Sequence, residues 1–222
     1  MNSTPAFRAR ATAACLVTAP SLVLAAHLVQ ATPTQHDTAS ELASIAAHPD
    51  RYQASAALGF VAVLLYVPAL LGLAAPLRAE RPRLALTGLS MSVSGLLALA
   101  SLMGSGPVSL AMADASADRA AMIALTDRYE SGVLVGVWGL LMVLGWSVGP
   151  IVLGFGVWRS GFSPAVPALL VAGLVLQVLD AGRWPLALGF ACTTAAMALV
   201  AVRTWASAPV PEAAGEPQGL AV

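Results

Sequence analysis

Six apolar runs, separated by short polar intervals, dominate the hydropathy pattern of this chain. Most of the runs are close to the roughly 20 apolar residues that a helix needs to cross the hydrocarbon core of a bilayer. The pattern therefore predicts an all-α, polytopic membrane helical bundle of about six spans. The predicted spans are 11–30, 54–75, 84–104, 132–158, 165–180 and 185–203.

The fourth run, residues 132–158, contains no charged side chain and is rich in glycine. It carries two pairs of glycines four residues apart, Gly132 with Gly136 and Gly145 with Gly149, and such pairs favour close contact between membrane helices. Pro150 interrupts the helical hydrogen bonding and predicts a bend near the middle of the run. We therefore expect the other spans to pack around this helix.

Composition places the chain in a membrane. Hydrophobic residues make up 58% of it and charged residues only 10%, whereas an ordinary soluble domain is about one-quarter charged. The formal net charge is zero, so there is no electrostatic footprint for a nucleic acid. We predict that the lipid bilayer is the main partner, that residues 1–204 form one bundle, and that the proline-containing tail, residues 205–222, is disordered.

The first apolar run has two interpretations. Arg8 and Arg10 precede it and small residues lie near its end, as in a cleavable secretory signal. The run is longer than the usual core of a signal peptide, and further spans follow it. We favour a retained first span and keep the cleaved signal as the alternative.

The arginines predict the orientation. With six spans, one side of the membrane receives seven arginines and three acidic residues, and the other receives four arginines and eight acidic residues. Basic residues are enriched in cytoplasmic loops. We therefore predict a bacterial plasma-membrane protein with both termini in the cytoplasm.

Polar side chains in or near the spans collect at the predicted outer end. Ionisable residues near membrane spans are functional candidates. For Asp180 one interpretation is a helix-end carboxylate paired with Arg183. The other makes Asp180 and Glu130 two catalytic acids facing an apolar cavity, where a low dielectric would raise the pKa of each. The candidate ligand-binding residues at this end are His27, Gln177, Tyr129, Arg183 and Trp184.

The three histidines, His27, His36 and His48, do not match the spacing of a helical zinc motif. We predict no metal and no cofactor. His27 is better explained as a polar residue hydrogen-bonded to a neighbouring helix.

Trp138 and Trp146 lie eight residues apart in the fourth run and so project from roughly the same face of one helix. They either pack between helices or line an apolar ligand pocket. Trp184 stands at the end of a span, where tryptophan commonly anchors a helix at the interface.

In layout the chain resembles small six-span membrane proteins of actinobacteria. The matching features are Ser40-Glu41-Leu42 in the first outer loop, the second span ending in Leu77-Arg78, and Gly149-Pro150 in the fourth span. The resemblance covers most of the chain and implies the six-span architecture. It implies no activity, because such families share none.

Three classes of function follow. The first, which we favour, binds or translocates a small hydrophobic molecule or lipid through a cavity facing the outer leaflet. The second is a membrane-embedded enzyme that modifies a lipid or isoprenoid with Asp180 and Glu130. The third is a structural or assembly subunit for a membrane-protein partner. Convergence of Asp180, Glu130 and His27 on one cavity would favour the enzyme.

Overall fold

The computed structural model describes residues 5–30, 37–104, 106–114, 118–179 and 183–206, and within them the regular secondary structure is helical, with no strand. The predicted all-α membrane bundle is confirmed at that level. The helices are α1 (Pro5–Val29), α2 (Thr38–Ala47), α3 (Pro49–Ala74), α4 (Leu77–Glu80), α5 (Pro82–Met103), α6 (Gly106–Met112), α7 (Arg119–Glu130), α8 (Val133–Met142), α9 (Gly149–Arg159), α10 (Ala165–Val178) and α11 (Arg183–Ala206), with a π-helical turn (Val143–Val148) joining α8 to α9.

Five helical segments of the described chain are long and apolar enough to cross a membrane. The segment predicted as span 165–180 corresponds to α10, which has 14 residues. At 1.5 Å per residue it is about 21 Å long, less than the roughly 30 Å hydrocarbon core. The count of six crossings therefore stays a prediction, and so does the disorder of the tail, since 207–222 lies outside the described residues and α11 continues to Ala206.

The long helices form a ring of neighbours. In that ring α1 packs against α3 and α11, α11 against α10, and α10 against α9. The ring closes through α5, which packs against α3 and the fourth span, Val133–Arg159. Below, the end of the bundle that contains His27 is called the His27 end, and the opposite end the Arg203 end.

The main hydrophobic core occupies the half of the bundle nearer the Arg203 end. Leu73 on α3, Leu153 and Val157 on α9, and Val200 on α11 are fully buried there. Close packing of this kind leaves little space between helices. The interior of the half nearer the Arg203 end is therefore closed, while a groove of about 420 Å³ between α1 and α11, beside Val202 and Trp205, lies on its outer surface.

The fourth span divides at its π turn. Pro150 has no N–H, and its ring would clash with the carbonyl of Trp146 in a regular helix. The chain accommodates this with wider turns immediately before the proline, in which the Gly149 N–H donates to the Leu144 carbonyl five residues earlier. A π-helical irregularity thus precedes Pro150, and the bend predicted at this residue stays a prediction.

Only one of the two glycine pairs in this span makes a close helix contact. A Cβ on Gly145 would overlap the backbone of Gly95 and Met91 on α5, and one on Gly149 would lie 2.6 Å from the Ser92 nitrogen. A Cβ on Gly136 would meet nothing within 4 Å. Close packing is therefore confined to the part of the span after α8.

Three short helices make a second, smaller core at the His27 end. Leu42 and Ile45 of α2 are buried against Ala113, which follows α6, and against partly buried residues of α6 and α7. The Arg119 guanidinium on α7 donates to the Ala39 carbonyl at 2.8 Å. We call α2, α6 and α7 the cap.

Candidate functional site

A cavity of about 530 Å³ lies between the helices in the half nearer the His27 end. This volume falls within the range of small-molecule sites, which are about 300–1,000 Å³ and mostly apolar with a few polar groups. Its walls come from α1, α3, α5, α6, the fourth span, α10 and α11. Among the lining residues are the polar His27, Gln30, Tyr52, Ser55, Ser147 and Gln177, and the apolar Met103, Met142, Trp146, Leu174 and Phe190.

A second, much smaller void of about 20 Å³ adjoins the cavity on its deep side. The two share Trp146, Ser147, Leu174 and Gln177 as lining residues. The Tyr66 ring packs against the Trp146 ring with centroids 4.5 Å apart. Trp146 therefore stands between the open cavity and the closed half of the bundle.

His27 joins two helices at the edge of the cavity. Its Nε2 lies 3.2 Å from the backbone carbonyl of Arg183, the first residue of α11. This agrees with the prediction of a hydrogen bond to a neighbouring helix, and the bond requires the hydrogen on Nε2. The ring also packs against Phe190, with centroids 5.7 Å apart. His27 thus forms part of the cavity wall and fixes α1 against α11.

Two arginines cap the C-terminal end of α1. Arg183 donates to the Leu28 carbonyl, and the Arg51 Nε donates to the Val29 carbonyl at 3.2 Å. The last carbonyls of a helix have no partner within it and carry partial negative charge, so cationic donors there are stabilising. Arg183, predicted as a ligand-binding residue, acts here as a helix cap and does not line the cavity.

The sequence-predicted residues separate into two groups. His27, Gln177 and Trp146 come together on the cavity from α1, α10 and the fourth span. Five others do not line it: Arg183 caps α1, Trp138 is half-buried on α8, and Glu130, Tyr129 and Trp184 are exposed. Asp180 and His36 lie outside the described residues.

Glu130 lies close to a different acid, Glu41 of the cap. The pKa of Glu41 is raised above its ordinary value of 4.5, mainly because the surrounding protein reduces its hydration and secondly because of the negative charge of Glu130. Glu41 retains contact with solvent. The two carboxylates therefore interact in the cap, away from the cavity lining.

The cavity wall carries no carboxylate and no arginine among the described residues, and His27 is its one histidine. Nowhere in the described ranges do three or more His, Cys, Asp or Glu side chains form a group able to hold a metal ion. The chemistry that this wall offers is hydrogen bonding and apolar contact.

Several lining residues are absent from the sequence-based prediction, in particular Tyr66, Ser147, Thr193 and Phe190. Tyr66 had a usable signal, since it is a polar group well inside an apolar span and such groups are candidates for function. Ser147 and Phe190 had none, because serine and phenylalanine are ordinary in membrane helices. Which of them meets the cavity depends on the rotation of each helix.

Comparison with known proteins does not extend these observations. The chain matches no family model, no curated protein and no solved structure. The resemblance to six-span actinobacterial membrane proteins therefore stays a prediction.

Proposed function

We propose that this multi-pass membrane protein binds a small hydrophobic molecule or lipid in the cavity at its His27 end. The observation that carries the proposal is the convergence of three predicted ligand-binding residues, His27, Gln177 and Trp146, on one mostly apolar cavity of about 530 Å³. Apolar walls bind the hydrocarbon part of a ligand, and a few polar groups orient it.

Binding is favoured over translocation because the described cavity is closed toward the Arg203 end. Beyond Trp146 and Tyr66, the helices pack through fully buried residues such as Leu73, Leu153 and Met197. A translocated molecule would require these helices to separate. We therefore propose a binding or carrier protein whose cavity is accessible from the His27 end.

The enzyme alternative receives less support. It requires two acids on one apolar cavity, but Glu130 is exposed and interacts with Glu41 in the cap. Asp180, the other proposed acid, lies outside the described residues. A structural or assembly role does not account for a cavity of this size.

Filling the cavity tests the proposal. We would label the purified protein in lipid nanodiscs with a long-chain alcohol that carries a diazirine midway along its chain, and map the cross-linked residues by mass spectrometry. Labelling of Leu174 and Phe190, which line the cavity, is expected in the wild type. Ala56→Trp, also on the cavity wall, should reduce that labelling about tenfold, because the indole occupies the space.

Ala57→Trp is the matched control, since Ala57 is the next residue on α3, is exposed and does not line the cavity. It should leave cavity labelling unchanged. Equal labelling of both variants, or label confined to outward-facing residues such as Val202, would contradict a binding cavity.

We also propose that the His27 end faces the outside of a bacterial plasma membrane and that both termini are cytoplasmic. The support is the arginine distribution, with Arg78, Arg81 and Arg83 close together near the opposite end. In a Cys15→Ala/Cys192→Ala background, a membrane-impermeant maleimide added to intact cells should label a cysteine introduced at Ser131 and spare one introduced at Ser160. The reverse pattern would invert the proposed orientation.

A further inference from the structure

The deep void beside Trp146 has a polar lining inside an otherwise apolar bundle. Its polar side chains are Tyr66 on α3, Ser147 in the π turn, Gln177 on α10 and Thr193 on α11. Four separate segments therefore each contribute one hydrogen-bonding group to a space of about 20 Å³. That is enough for one water molecule, or for one oxygen atom of a ligand.

Among the described residues, three of these four groups have no hydrogen-bond partner. The Thr193 hydroxyl donates to the Gly189 carbonyl at 3.1 Å. Within the described chain, the side chains of Tyr66, Ser147 and Gln177 make no hydrogen bond, although Tyr66 is only 3% exposed. In the described chain, the buried side-chain atoms that lack a partner lie elsewhere, at the Ser92 Oγ and the Arg183 Nε. The polar atoms of Tyr66, Ser147 and Gln177 therefore remain accessible to a molecule in the void, and in an apolar setting each gains from a partner there.

The tyrosine hydroxyl, the serine hydroxyl and the glutamine amide all offer donors, and each also has an acceptor oxygen. All three are uncharged. Together they suit a hydroxyl or carbonyl oxygen better than a carboxylate or an ammonium group, because a charged group would enter a site whose described lining residues carry no opposite charge.

We propose that the void is a head-group site for an uncharged amphiphile, namely a hydrocarbon chain that ends in a single hydroxyl or carbonyl oxygen. The oxygen binds Tyr66, Ser147 and Gln177, and the chain lies in the large cavity on the other side of Trp146. The ligand therefore enters with its polar end first. This inference rests on the proposed function and narrows it to a ligand class.

Competition with the diazirine probe tests the inference. Hexadecanol should displace the probe from Leu174 and Phe190 about tenfold better than hexadecane or hexadecanoate does in the wild type. Tyr66→Phe keeps the ring against Trp146 and removes only the hydroxyl. It should reduce the preference for hexadecanol over hexadecane roughly fivefold, and Gln177→Met should reduce it to a similar extent.

Tyr52→Phe is the matched control, because Tyr52 lines the large cavity and does not line the void. It should retain the preference for the alcohol. If the void holds a water molecule only, hexadecanol and hexadecane will compete equally, or Tyr66→Phe and Gln177→Met will both retain the wild-type preference. Either result overturns the head-group site and leaves the cavity proposal standing.

Absence of cavity labelling in a wild-type protein that is monodisperse would overturn both proposals. Size-exclusion chromatography and thermal unfolding of each variant identify any loss of folding. Tyr66→Phe and Gln177→Met change different helices, so the conclusion does not depend on one of them folding.

Discussion

The two halves of the fourth span are both apolar and both contain glycine, but their surroundings differ. In α9, Leu153 and Val157 are fully buried, and six of its eleven residues are buried. In α8 no residue is buried, and Val133 is 85% exposed. One continuous apolar stretch thus packs tightly at one end of the bundle and is largely exposed at the other. Hydrophobicity alone does not decide which part of a membrane helix is packed.

Glycine does not decide it alone either. Gly145 and Gly149 allow α5 to approach the fourth span closely, while Gly136 and Gly139 meet no other atom where a Cβ would be. The difference arises at the π turn. On the His27 side of that turn, α8 packs mainly against α5 and α7. A close contact requires a matching small residue on the partner helix, and Gly95 and Ser92 provide it only opposite Gly145 and Gly149.

The largest effect on stability should come from placing a side chain at the close contact between Gly145 and α5. Gly145→Leu should destabilise the bundle by about 3 kcal/mol, because the leucine side chain would overlap the backbone of α5. Thermal or denaturant unfolding of the protein in detergent or nanodiscs measures the change. Gly136→Leu at the open end should have little effect or be slightly stabilising, since glycine is a poor helix former. Equal losses for the two variants would contradict the division of the span.

A smaller effect is expected from removing side-chain volume. Leu153→Ala should cost about 2 kcal/mol, at the low end for a buried leucine, because unfolded membrane helices still contact lipid. Leu140→Ala removes the same atoms from α8, where the side chain is 60% exposed, and should change stability by less than about 0.5 kcal/mol. Denaturant titration of both variants measures the difference, and a cost at Leu140 that matched the one at Leu153 would show that α8 is packed after all.

The smallest effect should be the pH response of the cap. Because the pKa of Glu41 is raised in the folded protein, the folded state binds a proton more tightly than the unfolded state does. The stability contribution of Glu41 is therefore fully present below pH 4.5, its ordinary pKa, and falls as the pH rises through the raised value. Between pH 4 and pH 7 the melting temperature of the Glu41→Gln variant should decrease less than that of the wild type.

Glu130→Gln should reduce the pH response by a smaller amount, since hydration loss is the larger cause of the shift and the charge of Glu130 the smaller. Neither substitution should alter labelling of the cavity by the diazirine probe. If Glu130→Gln alone abolished labelling, Glu130 would have to act at the cavity, and the enzyme alternative would be favoured.

The candidate site was partly predictable. His27 and Gln177 were identified because polar residues near the ends of apolar spans are uncommon, and that signal does not depend on how the helices rotate. Trp138 and Trp146 were predicted to share a face from their spacing, but only Trp146 lines the cavity. The π turn between α8 and α9 changes the helical register, whereas the sequence predicted a bend at Pro150 and did not indicate a π turn.

The sequence by itself determined the membrane environment and the helical class, because both depend on additive properties such as apolar length and the scarcity of charge. It also indicated which end of the bundle holds the polar groups. Only the tertiary structure decided that Tyr66, Ser147, Gln177 and Thr193 surround one void. These residues come from four separate segments, and their meeting depends on how each helix is rotated and on which glycines face a small residue, neither of which a single helix encodes.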